Sequence, residues 1–193
     1  MLEKIKQHME NFFDPFCRLF FPVIPMWVTP NRLTISRLIG VPFLIYFLWQ
    51  GWYVGSLVLF ILLALTDMFD GALARGRNMI TEFGTLLDPL ADKILIASAS
   101  LILLIKVNLT LAILVVGLDV IVIVLGAVGK LIGHKLTLKA NIWGKTKLTL
   151  QVLGIGLVFL GFIFNFVWLH NVAEYFLWAA IGFAIISIVK NGA

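Results

Sequence analysis

Charge is what this chain has least of. Asp, Glu, Lys and Arg make up 13% of its 193 residues, while 61% are hydrophobic, and the mean hydropathy is +1.04. A soluble domain of this length cannot bury so much apolar surface, so a soluble globular class is excluded and an integral membrane protein of one domain is expected. Cysteine is nearly absent: Cys17 stands alone, which excludes an intramolecular disulfide framework and gives no sign of a zinc site. The opening residues are charged, aromatic and helix-periodic, and lack the short apolar core and small-residue cleavage site of a signal peptide. Repeats and low-complexity linkers are missing too. The net charge of +5 is better read through topology than through nucleic acid, and no nucleic-acid partner is expected.

What is present is apolar sequence in long blocks. A spanning helix needs about 20 largely apolar residues. Residues 38–66 carry no charge, which is too long for one span, and Gln50-Gly51 offers a break. Residues 148–173 are again free of Asp, Glu, Lys and Arg. The pattern predicts an all-α integral membrane fold with six transmembrane helices, near 33–50, 53–77, 84–106, 109–133, 145–167 and 171–190. Basic residues alternate with these spans. Lys4, Lys6, Arg18, Arg32 and Arg37 come at the start; Arg75 and Arg77 follow helix 2; Lys130, Lys135, Lys139, Lys145 and Lys147 follow helix 4; Lys190 is in the tail. The opposite turns hold Lys106 alone. The positive-inside rule then places both termini on the cytoplasmic side of a multi-pass cell-membrane protein.

Residues 1–29 read differently from the helical domain at 30–193. Leu2, Ile5, Met9, Phe12, Phe13 and Phe16 recur at helical spacing, and Pro22, Pro25 and Pro30 then turn the chain into helix 1. An amphipathic helix lying in the membrane interface is expected there, with lipid as its partner.

Against this background, four of the six aspartates gather between Thr66 and Lys93. Asp67, Asp70, Gly71, Ala74 and Arg75 are spaced i, i+3, i+4, i+7 and i+8, on one face of the cytoplasmic end of helix 2. Asp88 and Asp92 share a face at the start of helix 3. A short loop makes the two helices antiparallel neighbours, so four carboxylates converge near the membrane surface. Like charges at close quarters need protons or cations among them. Oxygen-only ligands point to magnesium, manganese or calcium rather than zinc, and four aspartates are enough for two ions. Gly71 and Ala74 leave the helix face bare beside them, and Arg75 can answer a phosphate. Together they read as a site for a metal-bound nucleotide diphosphate. Taken singly, Gly71 and Ala74 would be a packing notch, Arg75 a topology signal, and Asp88-Pro89 a helix cap; the set of four aspartates has no such structural account. Intramembrane carboxylates also line ion paths, so a cation transporter is the rival class, with a non-catalytic scaffold as a third.

Read as a pattern, the stretch is Asp67-x2-Asp70-Gly71-x2-Ala74-Arg75-x8-Gly84-x3-Asp88-x3-Asp92. It resembles the signature of the CDP-alcohol phosphotransferase family at every fixed position. The resemblance implies a reaction in which a hydroxyl attacks the phosphorus next to the lipid of a CDP-linked donor and CMP leaves. It implies Asp67, Asp70, Asp88 and Asp92 as ligands of Mg2+ or Mn2+, with Asp92 also the general base. It implies Asp67, Gly71, Ala74 and Arg75 around the cytidine and its phosphates, Gly84 for close helix approach, and a homodimer. Pro30-Asn31-x-Leu33-Thr34-x2-Arg37 is similar to the family's approach to helix 1 and adds Asn31 and Thr34 as nucleotide contacts, or else simply starts the helix.

The small size and the interfacial helix resemble the branch whose donor is CDP-diacylglycerol. Gly144-Lys145-Thr146-Lys147 with Gln151 is similar to a pattern of the glycerol-phosphate members, and implies Lys145 and Lys147 at the acceptor phosphate, with Lys130, Lys135 and Lys139 beside them. Topology alone also accounts for these lysines. Two departures weigh on the acceptor: Leu148 replaces the family threonine, and Leu118-Asp119 stands where those members carry Arg-Glu. Glycerol 3-phosphate is therefore the expected acceptor, with inositol phosphate, serine and phosphatidylglycerol kept open. Asp119, in mid-span, must pair with a lysine, order an acceptor site, or lie neutral at a dimer contact.

Overall fold

The structure, a computed structural model, describes residues 29–76, 82–131 and 142–192. All its regular structure is helical: α1 Pro30–Trp49, α2 Tyr53–Gly76, α3 Glu82–Ile105, α4 Leu109–Leu131, α5 Ile142–Phe164 and α6 Val167–Gly192. Each predicted helix is present, with ends moved by a few residues. The expected interfacial helix falls on residues outside those described.

The helix ends have local causes. α1 begins at Pro30, earlier than its polar first turn suggested. Proline at the first position has no N–H to satisfy, and the Thr29 carbonyl accepts from the N–H of Arg32 at 3.0 Å and of Leu33 at 3.3 Å. α1 ends at the expected break. Gly51 takes φ 77°, its N–H reaches the Leu48 carbonyl at 3.2 Å, and the Trp52 N–H reaches Phe47 at 3.0 Å. This paired closure needs a left-handed residue, which glycine adopts without strain. Asn108 caps α4, its Oδ1 accepting from the Leu111 N–H at 3.3 Å. α5 stops at Phe164 because Asn165 turns left-handed, φ 56°, and the Phe166 N–H closes onto Gly161 at 3.0 Å.

Among the described residues, three helical stretches are long and apolar enough to cross a membrane: Pro30–Trp49, Ile142–Phe164 and Val167–Lys190. The apolar runs of α2 and α4 are shorter, Tyr53–Thr66 and Leu109–Val124. The run in α2 stops where the aspartates start. The six-span expectation is thus met for three helices by length and composition. Large apolar side chains such as Ile39, Phe43, Val54, Leu62, Ile113 and Tyr175 stand exposed, as a lipid-facing surface requires.

The chain divides into two compact units. One holds the described residues up to Phe43 together with Val58–Leu95; the other holds Leu44–Leu57 and the described residues from Ile96 onward. In the first unit Val41, Phe60, Leu63, Leu73, Ala91 and Leu95 are buried. A Cβ at Gly40 would lie 2.5 Å from a Leu63 methyl, so α1 and α2 meet closely there.

In the second unit α5 and α6 form an antiparallel hairpin around Ile155, Val158, Phe159, Ala173 and Leu177, all fully buried. Tyr53 stacks on Phe162 at 4.6 Å, and Lys106 donates to the Leu48 carbonyl at 2.8 Å, which fastens the α1–α2 turn. Gly154 sets the hairpin spacing: a Cβ there would sit 2.9 Å from Leu177 Cγ and 3.4 Å from the Ala173 carbonyl oxygen. Gly154→Leu is therefore expected to overpack this contact and lower stability by about 1–3 kcal/mol. Thermal unfolding in detergent checks this, and an unchanged midpoint would mean that the hairpin can open at no cost.

Candidate active site

Three polar side chains of the first unit are almost wholly enclosed: Thr34 and Arg37 at 0% exposure and Asp70 at 2%. Arg37 projects from α1 and its Nη2 donates to Asp70 Oδ2 on α2 at 2.7 Å. Its Nε donates to Thr66 Oγ1 at 3.3 Å, and the Thr66 hydroxyl passes its own proton to the Leu63 carbonyl at 2.6 Å. One turn earlier on α1, the Thr34 hydroxyl lies 2.6 Å from Asp88 Oδ1 on α3 and 3.2 Å from the Pro30 carbonyl. A hydroxyl has one proton, and the short bond to a carboxylate is the stronger claimant.

Thr34 and Arg37 are spaced i, i+3, so they lie on one face of α1. That face braces an aspartate from α2 and an aspartate from α3 within a single helical turn. Among the described residues, the expected convergence of the two acidic helices is built through α1. A buried ion pair such as Arg37–Asp70 gives little net stability compared with an apolar pair, and its 2.7 Å contact ties α1 to α2.

Asp92 follows Asp88 by one turn of α3 and is half-buried, as is Asn31 in the first turn of α1; both have polar or electrostatic partners. Asp67, Gly71, Ala74 and Arg75 fall on α2 and Gly84 on α3, and their surroundings lie outside what the structure describes. Among the described residues no three His, Cys, Asp or Glu side chains group closely enough to hold a metal ion, and the expected ligand set needs Asp67.

Of the five lysines expected near the acceptor, Lys145 is exposed and Lys147 mostly covered in the first turns of α5. Lys130 is on α4 with its side chain outside the described residues, and Lys135 and Lys139 lie outside them altogether. Lys147 is ion-paired with Asp119 of α4, each side chain 13% exposed. Of the prospects for a mid-helix aspartate, pairing with a lysine is the one the structure contains.

Sequence reasoning counted Arg37 as a topology charge and as the last position of the Pro30–Arg37 pattern, and gave it no partner. A sharper signal was available. Arg37 is the last charge before the uncharged run 38–66, and an arginine inside a span needs an acidic partner.

An all-helical membrane protein with aspartates braced at the ends of two neighbouring helices fits a class of enzymes acting on nucleotide-activated lipids. Residues 27–186 match the CDP-alcohol phosphatidyltransferase family, and the chain belongs to that family. Among its relatives is the CDP-diacylglycerol–glycerol-3-phosphate 3-phosphatidyltransferase of Aquifex aeolicus, 37% identical over 67% of this chain and 75% of that protein. The enzyme of the same name from Rickettsia bellii is 33% identical over 82% of this chain and 90% of its own length. That of Bacillus subtilis is 32% identical over 84% and 92% respectively.

Enzymes of this family generally depend on a divalent cation. The donor chemistry here suits one. The candidate ligands are all carboxylates, which are hard oxygen donors. One oxygen of Asp70 is on Arg37 and one of Asp88 is on Thr34, and a carboxylate has about four lone-pair sites, so neither bond exhausts it.

Proposed function

We propose that this enzyme transfers a phosphatidyl group from CDP-diacylglycerol to the free primary hydroxyl of glycerol 3-phosphate, giving phosphatidylglycerol phosphate and CMP. The bracing of Asp70 and Asp88 on one turn of α1 is the structural observation behind this reading, and the names of the relatives supply the acceptor. Asp67, Asp70, Asp88 and Asp92 would hold one or two Mg2+ or Mn2+ ions, which when bound neutralise the diphosphate and the developing charge on CMP. Arg37 and Thr34 hold two of these carboxylates at fixed angles. Gly71 and Ala74 let the nucleotide lie against α2, and Arg75 and Asn31 contact its polar groups.

Asp92 takes the proton of the acceptor hydroxyl as its oxygen bonds to the lipid-side phosphorus. The bond from that phosphorus to the CMP oxygen breaks, and CMP departs with the pair of electrons. A carboxylate surrounded by cations is a weak base, so its power comes from position. Lys145 and Lys147 receive the acceptor phosphate. The protein spans the membrane six times with both termini and the site cytoplasmic, a topology that the basic-residue alternation supports, and the family resemblance points to a homodimer.

The test is CMP release by purified protein in detergent with CDP-diacylglycerol and magnesium. Glycerol 3-phosphate, inositol phosphate, inositol, serine and phosphatidylglycerol are offered separately. Release is expected with glycerol 3-phosphate alone, lost with EDTA and restored by Mg2+ or Mn2+. Release with another acceptor would keep the chemistry and overturn the acceptor. No release with any of them from folded protein would overturn the reading.

A further inference from the structure

The Lys147–Asp119 pair is part of a longer chain of polar contacts in the second unit. Lys147 Nζ donates to Asp119 Oδ1. Gln151, one turn further along α5 and fully buried, donates from Nε2 to Asp119 Oδ2 at 2.9 Å. The same nitrogen lies 3.3 Å from Ser100 Oγ on α3, and the Ser100 hydroxyl spends its proton on the Ile96 carbonyl at 2.8 Å. Asp119 on α4 is therefore gripped by two side chains of α5, one of which is itself anchored to α3.

Donor and acceptor roles decide how this chain runs. A carboxylate can only accept, and the Ser100 proton is already committed, so both neighbours require the amide nitrogen of Gln151. Its Oε1 must then point away, and it is buried without a hydrogen-bond partner among the described residues. Buried polar groups are nearly always satisfied. Here the amide is oriented to serve Asp119 and Ser100 through its nitrogen.

The consequence falls on Lys147. A lysine carries three N–H donors on a flexible stem with substantial rotamer freedom. One donor on Asp119 removes most of that freedom and leaves two for an anion. Because both oxygens of Asp119 are engaged, the carboxylate cannot rotate, and the direction of the ammonium is set with it.

We propose that Asp119 is a positioning residue for the acceptor: with Gln151 and Ser100 behind it, it aims Lys147 at the phosphate of glycerol 3-phosphate. The inference rests on the acceptor reading above, and adds a residue that does not itself touch substrate. Its sign is specific. Were Asp119 merely a competitor for Lys147, removing its charge would tighten acceptor binding; as a positioning residue, removing its charge weakens it.

Initial rates of CMP release, varied in each substrate, test this on the full-length protein in detergent. Asp119→Asn is expected to raise KM for glycerol 3-phosphate about tenfold, with kcat and the KM for CDP-diacylglycerol within about twofold of wild type. Asp119→Glu should recover most of the loss. Adding Asp119→Asn to Lys147→Met should worsen KM no further, because a residue acting through Lys147 has nothing left to position. Gln151→Met should give a smaller rise in the same KM, and decides the matter if Asp119→Asn does not yield folded protein. A lowered KM, an equal rise for both substrates, additive effects with Lys147→Met, or a folded Gln151→Met with wild-type kinetics would each overturn the proposal. If wild type shows no saturation by glycerol 3-phosphate, the acceptor reading is what fails. The same variants, assayed with the acceptor that does release CMP, then decide the positioning role.

Discussion

Asp92→Asn is expected to release CMP at about one-thousandth of the wild-type rate or less, while still binding CDP-diacylglycerol. The substitution is nearly isosteric and removes only the charge and the ability to take a proton. A positioned general base contributes roughly 10²–10⁴-fold, and Asp92 is also placed among the metal ligands, so the upper half of that range applies. Asp92 sits one turn beyond Asp88 on α3 and is half-buried, so it can reach both an enclosed site and a substrate arriving from outside. Single-turnover CMP release, paired with equilibrium binding of the donor lipid, separates chemistry from binding. Loss of donor binding in parallel with turnover would make Asp92 a binding ligand only. Unchanged turnover would remove it as the base.

The architecture was legible where the physics is local. Apolar runs bounded by charges marked six helices, and Gln50-Gly51 marked a turn because only glycine enters the left-handed conformation cheaply; Gly51 adopts it at φ 77°. The α5–α6 turn was harder to place, since Asn165 takes φ 56° in a stretch with neither glycine nor proline. The aspartate positions followed from spacing alone, because helix geometry converts i, i+3 and i, i+4 into shared faces.

What spacing cannot supply is the partner across helices. Thr34 was expected at the nucleotide or as part of a helix start; it is buried and donates to Asp88, 54 positions away. Arg37 looked like one more cytoplasmic charge, yet it is enclosed on Asp70. Asp119 had three equivalent prospects, and the choice of Lys147 depends on how α4 and α5 pack. Each is a long-range pairing between polar residues inside an apolar bundle. A single sequence shows that such residues need partners but not which ones.

The Arg37–Asp70 pair makes the second large prediction, in which stability and activity part company. Asp70→Asn removes a carboxylate charge 2.7 Å from the Arg37 guanidinium, which is at 0% exposure. Removing one member of a buried pair typically costs about 3–5 kcal/mol. For a chain of this size that lowers the unfolding midpoint by roughly 10 °C. Turnover should fall with it, and higher magnesium should not restore it, because a neutral amide is a poor ligand for a hard cation. Arg37→Met alone should also destabilise, by removing the buried guanidinium whose hydrogen bond Asp70 accepts.

The double variant Arg37→Met, Asp70→Asn removes both charges and fills the space with apolar atoms. It should regain most of the lost stability, since replacing a buried ion pair with packed side chains is often neutral or better. It should nevertheless remain inactive at every magnesium concentration. Thermal unfolding in detergent and a magnesium titration of CMP release on the three variants give the readout. Recovery of both stability and turnover would mean that Asp70 serves the fold alone. Recovery of stability without turnover would show that the pair is retained for the charge it fixes beside the substrate, at a position where the fold could do as well with none.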